Sequence, residues 1–132
     1  MQGEQAMSLL TALTRNVAET SPNAEDPRLK TRQYALSKES VWTAVQQLAS
    51  SQEGWTVVQA DPAEGVLKAE SRTRLLKFVD DVTIRVRPAS GQRFSVDLHS
   101  RSRVGKGDFG TNARRIGRFL AALDNALNAK PG

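Results

Sequence analysis

The sequence predicts an α+β fold in which a single antiparallel β-sheet of about five strands packs against a long C-terminal helix and a shorter N-terminal helix. Two patterns lead to this prediction. Apolar and polar residues alternate through the middle of the chain, as they do in strands with one buried face. Apolar residues recur at spacings of three and four before and after this region, which is typical of amphipathic helices. A length of 132 residues is enough for one hydrophobic core and too short for two.

The N-terminal part of the chain differs in composition from the rest. Ser21–Pro27 contains two prolines with an asparagine and an aspartate between them, a composition typical of turns. We therefore interpret residues 1–30 as a largely irregular N-terminal arm and residues 31–129 as a single α+β domain.

The first elements of the domain are expected in the order strand, helix, strand, strand. A short strand over Thr31–Leu36 precedes Ser37, whose hydroxyl can cap the first turn of a helix. That helix spans Lys38–Ser50, because its apolar residues fall on one side at helical spacing. Two further strands, Trp55–Ala60 and Gly65–Ser71, are joined by a turn that contains proline.

The clearest element is a hairpin of Leu76–Arg87 with Gln92–Arg103, in which apolar and polar residues alternate. One face of this hairpin, which includes Phe78, is expected to be packed, and the other to be in water. A slip of one residue would bring packed side chains opposite solvated ones, so the alternation also predicts the register. The expected pairs are Asp80 with Ser100, Asp81 with His99, Val82 with Leu98, Thr83 with Asp97 and Ile84 with Val96.

Asp80 conflicts with this alternation, because its carboxylate is aimed at the packed face. Burial of an unpaired carboxylate is costly, which leaves three interpretations. A β-bulge at Asp80 and Asp81 would rotate the side chain outward, and this is the one we expect. A salt link to Arg101 or Arg103 would neutralise it. A catalytic carboxylate with a raised pKa is the third interpretation.

Charge is distributed unevenly along the chain. Residues 1–70 carry a net charge of −3 and residues 71–132 a net charge of +8, and thirteen of the nineteen basic residues are arginines. Such an asymmetry indicates a surface that meets anions, whether phosphate, lipid headgroup, nucleic acid or an acidic protein. The guanidinium group favours bidentate contacts with oxyanions, which supports this interpretation. The alternative is a solvated face that keeps a small protein soluble.

The connection between the hairpin and the last helix, residues 100–115, combines three glycines with hydroxyl, amide, Arg and Lys side chains. Glycines let backbone N–H groups approach a ligand, and a helix N-terminus supplies free donors, so the segment could hold an oxyanion. It lacks the spacing of a Walker motif and of a dinucleotide fingerprint. The alternative is a tight turn in which Asp108 caps the helix and the arginines pair with Asp80 and Asp81. The candidate ligand-binding residues are Asp80, Asp81, His99, Arg101, Arg103, Lys106, Asp108, Asn112, Arg114 and Arg115.

Three short motifs of this region resemble a known family. Lys77–Asp81, Ser100–Gly105 and Asp108–Asn112, followed by Arg114 and Arg115, are similar to the family known as domain of unknown function 1499. The resemblance covers about residues 15–125, and the chain lacks the cysteine that the family usually carries near its N-terminal motif. The family implies no established activity, and many of its members follow export or membrane-anchor segments. The element order also resembles a reduced helix-grip domain.

Composition restricts the classes of function. The absence of cysteine excludes disulfides, thiolate metal sites and cysteine nucleophiles, and His99 is the single histidine, so sites that need two imidazoles are excluded as well. No apolar run approaches the roughly 18 residues that a transmembrane helix needs. We expect no cofactor and no metal. The scarcity of aromatic residues, 5%, disfavours nucleic acid as a partner.

The sequence thus favours a non-enzymatic binding module for an anionic small molecule or lipid headgroup, which would be held by the Arg/Gly-rich strand-to-helix connection. One alternative is an interaction or scaffold domain that docks its basic half on an acidic protein or a membrane surface. A second is an enzyme based on carboxylates at Asp80, Asp81 and Asp108. No export signal is visible, so a cytoplasmic protein is the default expectation, and an exported or membrane-associated one if an N-terminal segment has been removed. The pattern does not specify an oligomeric state.

Overall fold

The computed structural model describes residues 16–73, 78–103 and 110–128. Within these ranges the structure has six strands, two α-helices and one 3-10 turn, and four of the strands follow one another between the two helices. The elements in chain order are β1 (Val17–Glu19), the 3-10 turn (Pro27–Leu29), β2 (Arg32–Tyr34), α1 (Lys38–Ser51), β3 (Trp55–Asp61), β4 (Val66–Arg72), β5 (Val79–Ala89), β6 (Arg93–Ser102) and α2 (Thr111–Asn128).

The strands form one antiparallel sheet in the order β1-β6-β5-β4-β3, and β2 also pairs with β6. The α+β class and the two helices are confirmed. The described sheet has six strands instead of about five, because the N-terminal arm contributes β1. The helix cap is also confirmed, since the backbone N–H of Ser40 donates to the Ser37 hydroxyl at 3.1 Å.

Both helices lie on the same face of the sheet. Inward-facing residues of β4, β5 and β6 alternate with exposed ones and meet the apolar stripes of α1 and α2. Trp55 and Phe119 stack at this interface with ring centroids 5.5 Å apart. The opposite face carries no helix in the described ranges, and we call it the uncovered face. The largest fully buried side chains are Phe119, Leu67, Ile84, Leu98, Ile116, Leu120 and Leu123.

The register of the β5–β6 hairpin differs from the predicted one by two residues. Ile84 pairs with Leu98 instead of Val96, and Asp81 pairs with Arg101 instead of His99. Both strands extend to Ala89 and Arg93, so only three residues form the turn, with Gly91 at φ 69° and Gln92 at φ 59°. A shift of two residues leaves every side chain on its own face, so the alternation cannot detect it.

Three smaller predictions are wrong. β5 pairs without interruption on both sides, so no bulge occurs at Asp80; the irregularity of the described sheet lies in β3, between Val57 and Gln59. Phe78, placed on the packed face, is 43% exposed because it precedes the first residue of β5. The first predicted strand ends at Tyr34, which leaves Leu36 exposed.

The N-terminal arm follows the outer edge of β6. β1 pairs with residues 99–101 and β2 with residues 94–96, and the chain between them leaves the sheet and returns. The backbone N–H groups of Ser21 and Thr31 close this excursion by donating to the carbonyls of Leu29 and Ser21. Although we expected the arm to be largely irregular, it completes the edge of the sheet.

Gly65 provides a test of the packing between the β3–β4 turn and β5. Its φ is +71°, and an added Cβ would lie 2.3 Å from the carbonyl oxygen of Val86. We expect Gly65→Ala to lower the free energy of unfolding by about 3–5 kcal/mol, because left-handed strain and overpacking act together. Gly91, at φ +69° with open space around it, is the matched control, and Gly91→Ala should lose only about 1–2 kcal/mol. Equal losses in urea denaturation would contradict this packing.

Candidate functional site

The Asp80 carboxylate is buried and is paired with Arg115, so the interpretation in which arginines of residues 100–115 pair with Asp80 and Asp81 is confirmed. Asp80 is 2% exposed on the helix-covered face of β5. Arg115, near the start of α2, places its Nη2 atom 2.8 Å from Oδ2 of Asp80. The bulge and the salt links to Arg101 or Arg103 are therefore corrected to a buried ion pair between the sheet and the C-terminal helix.

A polar network surrounds this ion pair. Nη1 of Arg115 donates to Oδ1 of Asn112 at 2.6 Å and to the Ser100 hydroxyl at 3.1 Å. Nδ2 of Asn112 donates to the Ser102 hydroxyl at 3.0 Å and to the carbonyl of Asn16 at 3.1 Å. Among the residues that the structure describes, no buried side-chain nitrogen or oxygen lacks a hydrogen-bond partner. The network thus satisfies its own polar groups and joins β6, α2 and the N-terminal arm.

A second, exposed cluster lies on the uncovered face. Arg103 makes a bidentate contact with Asp81, through Nη2 to Oδ1 at 2.8 Å and Nε to Oδ2 at 2.9 Å. Its Nη2 atom also lies 2.9 Å from Oε2 of Glu70. Hydrogen bonding to Arg103 holds the pKa of Asp81 below its usual value, and the two acids raise the pKa of Arg103. The charges of this cluster are therefore engaged with one another.

The remaining candidates do not join a single site. Arg101 is exposed on the uncovered face and makes no ion pair with any residue in the described ranges. His99 is half-buried on the same face, opposite Thr83. Nη2 of Arg114 donates to the Thr111 hydroxyl at 3.2 Å on the first turn of α2. Lys106 and Asp108, with Gly105 and Gly107, lie outside the described residues, whereas Gly110, the third glycine of the connection, is described with a φ of 82°.

The uncovered face contains an open depression of about 650 Å³ beside the N-terminal arm. Residues 19–22 of the arm form its wall, and β5 and β6 form its floor. Because the two strands pair antiparallel with Arg85 opposite Asp97, outward side chains of both strands reach the same space. The floor residues are Thr83, Arg85 and Arg87 on β5 and Asp97, Leu98 and His99 on β6.

Arginines crowd one end of this depression. Arg85 and Arg87 point to the same side of β5, and Arg93 follows on the same face across the hairpin turn. None of the three forms an ion pair with a residue that the structure describes. Asp97 lies directly opposite Arg85, but its Oδ1 accepts from the hydroxyls of Thr20 and Thr31 instead. Within the described residues, therefore, none of these three charges is used in an ion pair of the fold.

The sequence interpretation missed Arg85 and Arg87 as site residues. They lie on the hairpin face that was expected to be in water, where charged residues are ordinary. The available signal was their spacing of two along one strand, with a third arginine just beyond the turn. Their relation to the arm could not be read from the sequence, because it depends on where residues 19–22 lie.

Two further properties of the described residues bear on the classes of site. No helix among them is both long and apolar enough to cross a membrane. No group of three or more His, Cys, Asp or Glu side chains in these ranges is placed to hold a metal ion.

Comparisons with known proteins give a family and a fold. A family model described as Protein of unknown function (DUF1499) matches residues 7–123, which confirms the resemblance found in the motifs. The chain is similar to the crystal structure of DR_A0006 from Deinococcus radiodurans, with a TM-score of 0.51 at 8% identity over 86% of this chain and 99% of that one. It is also similar to the crystal structure of CV1439 from Chromobacterium violaceum, with a TM-score of 0.44 at 15% identity over 89% and 99%. Among curated proteins, none matches.

A comparison of variants at two adjacent aspartates, Asp80 and Asp81, tests the buried ion pair. Asp80→Asn should lower the free energy of unfolding by about 3–5 kcal/mol, because it leaves the buried Arg115 charge unpaired. Asp81→Asn should lose less, since that pair is exposed and screened by solvent. The double variant Asp80→Asn/Arg115→Met should lose less than the sum of its single variants in urea denaturation. Additive losses would show that the two groups do not interact.

Titration tests the exposed pair. The pKa of Asp81 is lowered in the folded state, so its contribution to stability is present above the ordinary value of 3.8 and is lost as the pH falls through the folded-state pKa. The difference in unfolding free energy between the parent protein and Asp81→Asn should therefore be constant above about pH 5 and vanish in acid. Glu25→Gln, an exposed acid on the arm, serves as the control and should show no such change. A difference independent of pH would refute the assignment.

Proposed function

The chain belongs to the family described as Protein of unknown function (DUF1499), which assigns no activity, and from its geometry we propose that it is a binding module for a small anionic ligand. The observation that supports this is the arginine cluster of the uncovered face. Arg85 and Arg87 line an open depression with His99 and make no ion pair within the described residues. This proposal keeps the anionic ligand expected from the sequence and moves its site from the strand-to-helix connection to the sheet.

The chemistry of the depression suits an oxyanion. Each guanidinium presents paired N–H donors in the geometry that carboxylate and phosphate oxygens accept. The His99 ring carries at least one N–H donor in either protonation state.

The other candidate cations are less available. Arg103 is held by Asp81 and Glu70, and Arg115 is buried against Asp80. An anion that used either of them would have to displace a carboxylate already at hydrogen-bond distance. Arg101 stands two residues from His99 on the same face of β6 and extends the basic surface beyond the depression.

A carboxylate-based enzyme has less support. The carboxylate of Asp80 is committed to Arg115, and that of Asp81 to Arg103. A general acid at neutral pH needs a raised pKa, whereas the pKa of Asp81 is lowered.

Docking on an acidic protein or a membrane surface is a second candidate, favoured by the breadth of the basic surface. Outward positions of the sheet carry seven Lys or Arg residues and five acids. A large polyanion would contact many of these cations at once, and its affinity would fall steeply with salt. The outward cations are Lys68, Arg72, Arg85, Arg87, Arg93, Arg101 and Arg103, and the acids are Glu19, Asp61, Glu70, Asp81 and Asp97.

Titration with inorganic phosphate at constant ionic strength tests the proposal. We expect a saturable one-to-one interaction, followed by backbone amide chemical shifts, with the largest changes on β5 and β6 around the depression. The double variant Arg85→Gln/Arg87→Gln should weaken binding at least about tenfold, because charge-assisted hydrogen bonds are lost. Millimolar phosphate avoids the general stabilisation that concentrated phosphate gives any protein.

Two further variants control for the loss of a positive charge and for the location of the binding site. Arg118→Gln removes the same charge from the exposed side of α2 and should bind phosphate as the parent protein does. Arg114→Gln tests the strand-to-helix connection. Loss of binding in Arg114→Gln with retention in the double variant would move the site back to that connection. Binding of polyanions without binding of phosphate would favour the docking function.

A further inference from the structure

The wall of the depression is fixed by Asp97. The hydroxyls of Thr20 and Thr31 donate to Oδ1 of Asp97 at 2.6 Å and 2.5 Å. These two threonines stand at the two ends of the excursion between β1 and β2, so one carboxylate oxygen holds both ends against β6. The backbone N–H of Leu98 completes the clasp by donating to the Thr20 hydroxyl at 3.0 Å. The depression is therefore formed before any ligand arrives.

The second oxygen of the Asp97 carboxylate, Oδ2, is available to another donor. Oδ2 of Asp97 accepts no hydrogen bond from the residues that the structure describes, although the side chain is half-buried and lines the depression. Glu19 lies across from His99 on β1, also on the lining, and its exposed carboxylate likewise has no partner in these ranges. Carboxylate oxygens only accept at neutral pH, so this side of the depression calls for ligand groups that donate.

The lining thus has two unlike sides. Arg85 and Arg87 on β5 offer positive charge and N–H donors, whereas Asp97 on β6 and Glu19 on β1 offer negative charge and acceptors. Neighbouring strands are about 4.8 Å apart, so one small molecule can reach both sides. A bare phosphate uses only the arginine side and is repelled by the carboxylates. Hydroxyl groups are the uncharged donors that carboxylates bind in such a position.

We infer that the depression binds a phosphorylated polyol, with the phosphate on Arg85 and Arg87 and the hydroxyls on Asp97 and Glu19. This inference rests on the proposed anion-binding function and specifies its ligand. A volume of about 650 Å³ has room for a sugar as well as a phosphate group. Apart from the His99 imidazole, the described lining has no aromatic ring on which a nucleobase could stack, and we therefore favour a sugar or a cyclitol over a nucleotide. The polyol phosphate can be a free sugar phosphate or the headgroup of an inositol lipid.

Calorimetric titration of the intact protein tests the ligand class. The probes are glucose 6-phosphate, myo-inositol 1-phosphate, inorganic phosphate and glucose. We expect at least one of the two esters to bind about tenfold more tightly than inorganic phosphate, because its hydroxyls add hydrogen bonds to the carboxylates. Glucose should show no measurable binding, because it lacks the phosphate group that the arginines hold.

Variants of the two carboxylates, Glu19 and Asp97, separate the contribution of the ligand's hydroxyls to affinity from that of its phosphate. Glu19→Gln and Asp97→Asn should each bring the affinity of the ester towards that of inorganic phosphate, while inorganic phosphate binds at least as well as before. Asp97 also clasps the arm, so Glu19→Gln, at an exposed position, keeps the test valid if Asp97→Asn unfolds the arm. Glu25→Gln is the matched control and should leave all affinities unchanged.

Vesicles distinguish the two sources of the ligand. Binding to phosphatidylcholine vesicles that contain phosphatidylinositol, but not to vesicles with the same charge from phosphatidylserine, would assign the site to a lipid headgroup. Binding of the free esters alone would assign it to a soluble sugar phosphate.

The outcomes separate this inference from the function on which it rests. Inorganic phosphate that binds as tightly as both esters would refute the proposal of a polyol ligand and leave the anion-binding function standing. Equal binding to both kinds of charged vesicle would exclude the inositol lipid as the source of the ligand. Absence of binding by phosphate, esters and vesicles would overturn both.

Discussion

The arrangement of the sheet and the C-terminal helix depends on the buried ion pair of Asp80 and Arg115. Apolar stripes alone let a helix slide or rotate on a sheet at small cost, because any apolar side chain can fill a similar space. A charge below the surface removes that freedom, since only one placement of α2 brings the guanidinium to the carboxylate at 2.8 Å. Ser100 and Asn112 accept hydrogen bonds from Arg115, and through Asn112 the N-terminal arm joins the same network. The ion pair and its network therefore fix the positions of the sheet, α2 and the N-terminal arm relative to one another.

The two faces of the sheet treat charge in opposite ways. On the helix-covered face, the buried polar atoms of the described residues find partners within the fold. On the uncovered face, the Arg103 cluster neutralises itself at one end, while Arg85, Arg87 and the free oxygen of Asp97 at the other end remain open to solvent. Asp97 combines both roles, since its Oδ1 atom holds the arm while its Oδ2 atom faces the depression, whereas a change at Arg85 or Arg87 need not disturb the core.

The sequence predicted most of the fold and little of the site. Alternation and helical spacing located the helices and the strands β3 to β6, because burial of one face imposes these periods directly. The hairpin register was missed by two residues, since such a shift leaves every face intact. Asp80 was recognised as anomalous, and an arginine of residues 100–115 was considered as its partner. Arg115 was not singled out among them, because it is 35 positions further along and meets Asp80 through packing of α2. The depression could not be predicted, because its wall comes from an arm that carries no periodic pattern.

The N-terminal arm also determines how the molecule can meet other chains. Strand borders with free N–H and C=O groups are templates for intermolecular pairing. Here β1 and β2 occupy one border of the sheet in succession, along the outer edge of β6. At the other border, the irregularity at Val58 interrupts the outermost strand, β3, near its middle. Within the described residues, neither border offers a long regular ladder of free N–H and C=O groups, so the architecture disfavours edge-to-edge growth into fibrils.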